Sequence, residues 1–259
     1  KVSHDAELAR ASEFVHFACT SEEENNNTEG KITTVSMTIA SRATGEPEPA
    51  AFDVEKIHTW WVAFVDRGNI VRAVIERPGE KTGYVEEETV ELDIPTGRYT
   101  LYAFANLSRS AVATAGYTFT VGSAYPSGVD AATWTLATPW TSDTDIPMTG
   151  KQSVTVTGRA NETFSVEVVR MLAKMEFQFR NESVSEITVN KLTMTQAPTD
   201  VVSLLPNYTY LNDGWPITAD GLKRDFDRTY TSSTLSGYSG SGTPASFNDI
   251  FYMVESQAN

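Results

Sequence analysis

The stretch TVELDIPTGRYTLYAF, residues 89–104, is typical of two β-strands joined by a tight turn. The turn residues Pro-Thr-Gly stand between the two runs. In the second run Tyr99, Leu101 and Ala103 fall on one side of an extended chain, and Tyr102 and Phe104 fall on the other. Aromatic and β-branched residues flanking a turn rich in Pro and Gly predict an antiparallel hairpin.

Similar patterns occur on both sides of this hairpin. Residues 56–65 turn at 66–69 into residues 70–75, and the turn residues Asp-Arg-Gly-Asn tolerate a positive φ. Residues 117–121 and 153–157 add further short β-type runs. The spacing of these runs favours an all-β fold built as an antiparallel sandwich.

A second unit begins near residue 161. Residues 163–179 are almost continuously apolar and too long for one flat strand, so we expect two strands with a bulge or a crossing between sheets. Residues 186–195 alternate as one strand. The following chain, up to residue 246, is rich in Gly, Ser, Thr and Tyr and is interpreted as a long loop. Residues 249–255 form a last strand.

An isolated strand precedes the main body. In KITTVSMTIASR, residues 31–42, the apolar residues are Ile32, Val35, Met37 and Ile39. Polar stretches flank it on both sides, and the acidic residues 20–30 are expected to form a solvated tether. A strand separated in this way can be cut out without disturbing the rest, which would leave an open sheet edge and a hydrophobic trough.

The composition bounds the partners. The 259 residues include 34 acidic and 20 basic residues, a formal net charge of −14, which repels nucleic acid and anionic membrane surfaces. One cysteine cannot form an internal disulfide. No apolar run reaches the roughly 18 residues of a membrane-spanning helix, so we predict no transmembrane span.

The residue types and their spacing predict a protein that is not an enzyme and holds no cofactor or metal. The three histidines are scattered, and no nucleophile, base and orienting group can be assembled around them. The acidic cluster at residues 86–88 lacks the alternating oxygen ligands of a calcium loop and is interpreted as solvated charge.

Two further features carry candidate roles. Trp60 and Trp61 are adjacent in a predicted strand, so one ring should point inward and the other outward. For the outward ring we favour an interface or a partly covered sheet face over stacking on a ligand such as a sugar. Cys19, in the sequence FACTSEEE, stands in a weak lipidation box followed by an acidic tail, although the apolar core of a lipoprotein signal does not precede it.

Several stretches, taken in order, resemble the Bacteroides-type fimbrillin family, which includes major and minor fimbrillins, type V pilins and their anchor or accessory subunits. The most specific combination is Pro-Met-Thr-Gly, residues 147–150, followed by an Arg-Met-x-Ala-Lys strand. The matching stretches are ASR (40–42), IPTGRYTLYAFANL (94–107), IPMTG (146–150), VVRMLAKMEF (168–177), ITVNKLTMTQAP (187–198) and FYMVES (251–256).

This resemblance implies two transthyretin-like β-sandwich domains in tandem and a lipoprotein precursor exported to the outer membrane. Residues 1–30 would form a leader, residues 31–157 the N-terminal domain with its detachable strand 31–42, and residues 158–259 a C-terminal domain short of its last strands. An arginine-specific protease would cut after Arg42, and a strand from another subunit would fill the vacated groove.

Two functions remain open on the sequence. The first is a structural or accessory subunit of a cell-surface fimbria, with other fimbrial subunits as partners. The second is a monomeric surface adhesin that binds a host glycan or protein through exposed aromatic residues such as Trp60, Trp61, Trp134, Trp140 or Trp215.

Overall fold

The computed structural model describes residues 30–42, 52–79, 81–136, 144–198, 201–206, 223–231 and 233–253. Its one α-helix is α1 (Arg109–Thr114), and 3-10 helices span Asp53–Glu55 and Val129–Ala131. The strands are β1 (Ile32–Arg42), β2 (Trp60–Asp66), β3 (Val71–Glu76), β4 (Glu87–Pro95), β5 (Gly97–Ala105), β6 (Thr133–Thr135), β7 (Met148–Val156), β8 (Thr163–Arg170), β9 (Ala173–Arg180), β10 (Ile187–Thr188), β11 (Lys191–Pro198), β12 (Val201–Ser203), β13 (Lys223–Thr229), β14 (Thr234–Leu235) and β15 (Ser246–Met253).

Seven strands form one sheet in the order β3-β2-β5-β7-β8-β1-β4. The sheet curves so that its two ends face each other. Phe64 of β2 packs edge-to-face on Phe164 of β8, with 6.2 Å between ring centroids, although β5 and β7 separate these strands in the sheet. The inner face is an apolar core to which all seven strands contribute, and we call it the inner core. Alternating side chains supply this core, as the period of two in residues 89–104 predicts.

A second core covers the outer face of β2 and β5. Trp61 stacks on Phe104 at 4.1 Å, and Phe119 packs on the edge of the Trp61 ring at 5.6 Å. The prediction of a strand at residues 117–121 is wrong, because this segment crosses the sheet face as irregular chain and contributes the buried Phe119 to the second core. Residues 117–121 are therefore held by side-chain packing and not by hydrogen bonding to a neighbouring strand.

The long apolar run at residues 163–179 divides into two strands, as predicted. β8 lies in the seven-stranded sheet, whereas β9 pairs with β15. The residues between them, Met171 and Leu172, are buried in the second core. The chain therefore passes from one sheet to another without leaving the apolar interior.

The described C-terminal half contains three paired ribbons, namely β9 with β15, β11 with β13, and β10 with β14, whereas β12 pairs with β6 of the N-terminal half. The run at 186–195 is not one strand as predicted, since β10 and β11 pair with different partners. The long loop predicted before residue 246 is also corrected, because β13 and β14 lie within it.

The protein is all-β, as predicted, with one departure from the antiparallel pattern. β1 pairs with β8 in parallel, so the sheet is mixed. β8 belongs to this sheet although the sequence boundary at residue 157 precedes it. The division into domains and the transthyretin-like character of each stay predictions.

Candidate functional site

The candidate site is the place that β1 occupies between β8 and β4, which we call the β1 slot. On one side β1 runs antiparallel to β4, from the pair Ile32–Pro95 to the pair Ala40–Glu87. On the other side it runs parallel to β8, from Ser36–Thr163 to Arg42–Val169. β1 is therefore an interior strand, and its loss would open a gap one strand wide.

Three of the four predicted apolar side chains of β1 enter the inner core. Val35, Met37 and Ile39 are fully buried, in agreement with their alternate spacing. Ile32 is 51% exposed, so its assignment to the apolar edge is corrected. Its even number places it on the opposite face of the strand from the other three.

The outward face of β1 is polar and is tied to β4 by hydroxyl contacts. Thr34 donates to Asp93 at 2.6 Å, and the hydroxyls of Thr38 and Thr89 lie 2.8 Å apart. Hydrogen bonds at exposed positions add little net stability, because water competes for the same groups. The buried face of the strand therefore supplies most of its side-chain binding energy.

The C-terminal end of β1 contains Ser41 and Arg42. Ser41 donates its backbone N–H to Glu86 at 2.8 Å, but its buried hydroxyl has no hydrogen-bond partner among the described residues. Arg42, the predicted cleavage residue, is the last residue of the strand. A cut after Arg42 would release β1 without dividing any other element of the described chain.

The far side of the slot is formed by β4, which has β1 as its one sheet neighbour in the described part of the chain. A cluster around Glu88 connects β4 directly to the opposite part of the folded sheet. The Glu88 carboxylate accepts from the Trp60 indole at 2.7 Å and from Arg77 Nε at 2.8 Å, and Lys81 Nζ lies 3.1 Å away. We call these four residues the Glu88 clasp.

The Glu88 clasp corrects the interpretation of residues 86–88 as solvated charge for Glu88 alone, since Glu86 and Glu87 are exposed. Glu88 is only 9% exposed, because it shares the inward face of β4 with Val90, Leu92 and Ile94. Burial alone would raise the pKa of Glu88, but the hydrogen bonds from Trp60, Lys81 and Arg77 outweigh it and lower that pKa. The period of two in EETVELDI was the signal that could have predicted this position.

Trp60 and Trp61 do point to opposite faces, but both faces are covered. Trp60 is 2% and Trp61 3% exposed, one in each core, and the Trp61 indole donates to the Leu107 carbonyl at 2.8 Å. Trp61 therefore lies on a covered sheet face, the favoured alternative, because β2 is a central strand packed on both sides. Neither ring is available to contact a ligand from solvent.

The remaining predicted residues divide between described and undescribed parts of the chain. Trp134 is half-buried against the second core. Cys19, Trp140 and Trp215 lie outside the described residues. Within the described ranges there is no group of three or more His, Cys, Asp or Glu side chains placed to hold a metal ion. In the same ranges no helix is long and apolar enough to cross a bilayer.

No protein-family model and no curated protein matches the sequence. Several solved structures do share the architecture. The tip fimbrial protein Mfa3 of Porphyromonas gingivalis, in a C-terminally truncated form, is 15% identical, with 86% of this chain and 69% of that chain covered and a TM-score of 0.52.

Two further structures are described as candidate cell adhesion proteins. The one from Parabacteroides distasonis is 14% identical, with 88% of this chain and 72% of that chain covered and a TM-score of 0.52. The one from Bacteroides eggerthii is 13% identical, with 90% and 73% covered and a TM-score of 0.52. The resemblance to Bacteroides-type fimbrillins is thereby confirmed at the level of fold, and the chain has the architecture of this fimbrillin-like group.

Proposed function

We propose that the chain is a structural or accessory subunit of a cell-surface fimbria that assembles by exchange of β1 for a strand of another subunit. The observation that carries the proposal is the position of β1, an interior strand that precedes the other described elements and buries one apolar face. The fold shared with a tip fimbrial protein supports it.

Burial of apolar side chains in the β1 slot contributes enough free energy for a long-lived contact between subunits. Val35, Met37 and Ile39 are each fully buried, and each such side chain contributes about 1.5–3 kcal/mol. Together they give about 4.5–9 kcal/mol before the cost of ordering an incoming strand. Main-chain hydrogen bonds to β4 and β8 would fix the register of a replacement strand. A strand with alternating apolar residues would therefore bind tightly.

In this proposal, proteolysis precedes the exchange of β1. An arginine-specific protease would cut after Arg42, and the N-terminal segment would then be free to leave the slot. We place the protein at the outer surface as an exported lipoprotein with Cys19 as the lipidation residue, in two transthyretin-like domains. Its partners are other fimbrial subunits, with no role for nucleic acid.

Limited trypsin digestion of the whole chain tests the proposal, with fragments identified by mass spectrometry and products sized by chromatography. We expect cleavage after Arg42, loss of the strand and slow growth of larger species. Arg42→Ala is the control, since it removes the cleavage residue while other sites remain. A cleaved protein that loses β1 and stays monomeric at high concentration would contradict the proposal.

The second candidate is a monomeric adhesin, which the names of two similar structures favour. With Trp60 and Trp61 buried, its ligand would have to contact other aromatic residues. Tyr84 is 39% exposed and lies 4.5 Å from the His58 ring. A glycan array probed with the intact chain and with Tyr84→Ala would support this role only if binding is seen and the substitution abolishes it.

A further inference from the structure

We infer that the Glu88 clasp holds β4 in place when β1 is absent, so that the β1 slot stays open at the width of one strand for an incoming partner strand. The inference rests on the proposed function, because it describes the state after β1 has left. It assigns a positioning role to Glu88, Trp60, Arg77 and Lys81.

The need for such a device follows from the sheet order. Among the described strands β4 lies at the edge of the sheet, and its only ladder there is with β1, over nine residue pairs from Ile32–Pro95 to Ala40–Glu87. When β1 leaves, β4 loses every ladder hydrogen bond. An unpaired strand with buried apolar residues would collapse onto the exposed core or detach, and either movement would close or deform the slot.

Contacts that do not involve β1 hold β4 at both ends. At the start, Val85 and Ile57 exchange backbone hydrogen bonds at 2.7 and 2.9 Å just before the strand. At the far end the Tyr99 hydroxyl donates to the Pro95 carbonyl at 2.9 Å, beside the turn into β5. Between these two attachments the Glu88 clasp adds ion pairs from Arg77 and Lys81 on the inward face of the strand.

The clasp is itself fixed from behind. Arg77 follows β3, its backbone N–H donates to the Trp60 carbonyl at 2.9 Å, and its guanidinium also donates to the Gly83 carbonyl at 2.9 Å. A second guanidinium contact reaches the His58 carbonyl. The Arg77 and Glu88 side chains are 7% and 8% exposed. A buried carboxylate that accepts from several positioned donors is costly to move, because any lost partner leaves a charge unpaired.

The chemistry of the slot defines the partner. It would accept an extended strand with apolar side chains at three alternate positions, matching Val35, Met37 and Ile39. With β4 already in place, such a strand gains two ladders at once, one with β8 and one with β4. Without the clasp it would first have to recruit β4, and capture would be slower.

A distance measurement across the slot tests the inference. Glu91 and Thr163 both pair with Ser36 from opposite sides and both are exposed, so spin labels there report the separation of β4 and β8. Cys19→Ser in the whole chain keeps the labels specific. The distance distribution is recorded before cleavage after Arg42 and after chromatographic removal of the strand.

We expect the wild-type distribution to stay narrow after β1 is removed, whereas Glu88→Gln should keep it narrow before removal and broaden it afterwards. Capture of a synthetic peptide of residues 31–42 should be about 10- to 100-fold slower in Glu88→Gln, the range for a lost hydrogen bond to a charged group. If Glu88→Gln does not fold, Lys81→Ala replaces it, because this variant keeps the Arg77 and Trp60 contacts. It should broaden the distance distribution and slow peptide capture in the same direction, but by less.

Asp249→Asn is the matched control. Asp249 is also a shielded carboxylate that accepts from an arginine Nε and an aromatic donor, Arg228 and Tyr230, but it belongs to β15 and its arginine to β13. This substitution should leave the slot distance unchanged before and after removal of β1. A broadened slot in Asp249→Asn would mean that general loss of stability explains the effect, and would overturn the assignment.

The remaining outcomes are separable. Equal broadening in wild type and Glu88→Gln after the strand has left overturns the clasp but leaves strand exchange standing. A narrow distribution in both also overturns it, because another contact then holds β4. A cleaved strand that never leaves the wild-type protein overturns the proposed function, and the inference falls with it.

Discussion

Ser41 places a buried hydroxyl without a hydrogen-bond partner among the described residues, at the end of a strand that is proposed to leave. A buried unsatisfied polar group costs about 1–3 kcal/mol. We therefore expect Ser41→Ala to raise the free energy of unfolding of the intact chain by about 1 kcal/mol, measured by urea denaturation.

Thr38→Ala is the control for Ser41→Ala, because the Thr38 hydroxyl has a partner in Thr89 at 2.8 Å. This substitution should lower the free energy of unfolding by about 0.5 kcal/mol, as expected for an exposed cross-strand pair. Equal destabilisation by both substitutions would show that the Ser41 hydroxyl is satisfied in solution.

Asp249 makes stability depend on pH in the acid range. Burial would raise its pKa, but the hydrogen bonds from Arg228 and Tyr230 outweigh it, so the pKa is lowered in the folded protein. A lowered pKa stabilises the fold above the unfolded value of about 3.9, and this contribution is lost as pH falls through the folded pKa. We expect the urea midpoint to fall less between pH 6 and pH 3 in Asp249→Asn than in wild type; identical falls would contradict this.

Single residues also mark where sequence reasoning stopped. Alternation correctly predicted that Trp60 and Trp61 face opposite ways, but it does not say whether the second face is covered. Glu88 was interpreted by its charge, although its place in the alternation set its burial. Periodicity gives the face of a strand; the tertiary packing decides what that face meets.

Among the side chains of β1, those on the inward face should supply most of the energy that retains the strand. Met37→Ala would leave a cavity in the inner core and should cost about 2–5 kcal/mol. Ile32→Ala, on the same strand but 51% exposed, should cost less than about 0.5 kcal/mol. After cleavage at Arg42, fragment release followed by chromatography should be faster in Met37→Ala and unchanged in Ile32→Ala. Equal release rates would mean that main-chain pairing alone retains the strand.

The hairpin predicted at residues 56–75 appears as β2 and β3, which pair with each other. Residues 89–104 appear as two strands, β4 and β5, but the predicted hairpin is wrong, because β4 pairs with β1, and β5 pairs with β2 and β7. The split of residues 163–179 appears as β8 and β9. The run at 186–195 was misjudged because its two parts pair with different strands, Ile187 with Leu235 and Leu192 with Arg228. A continuous alternation does not reveal a change of partner.

The molecule as a whole depends on pairings that no local pattern contains. The parallel ladder of β1 with β8 joins residues more than a hundred positions apart, for example Ile39 and Val166. The flanking polar stretches predicted a removable strand, but they do not show which two strands form the β1 slot. The three-dimensional arrangement adds what the motifs lacked, namely the edge position of β4 and the clasp that reaches across to β2.

A buried side-chain hydrogen bond is among the contacts that join the two halves of the described chain. The Tyr252 hydroxyl, near the end of β15, donates to Glu55 Oε1 at 2.7 Å in the 3-10 helix before β2. Burial raises the pKa of Tyr252, and its hydrogen bond to Glu55 raises it further. Tyr252→Phe should therefore cost about 1.5–3 kcal/mol, the range for a hydrogen bond to a charged group.

The consequence of Tyr252→Phe should appear on both sides of that contact. Hydrogen exchange with mass spectrometry is expected to show faster exchange in residues 52–57 and in residues 250–253. Tyr230→Phe is the control, because the Tyr230 hydroxyl donates to Asp249 within the C-terminal ribbons, and it should leave residues 52–57 unchanged. If Tyr252→Phe also left them unchanged, the other contacts between the halves, such as the Lys174–Glu55 ion pair at 3.5 Å and the β6–β12 ladder, would hold residues 52–57 without this hydrogen bond.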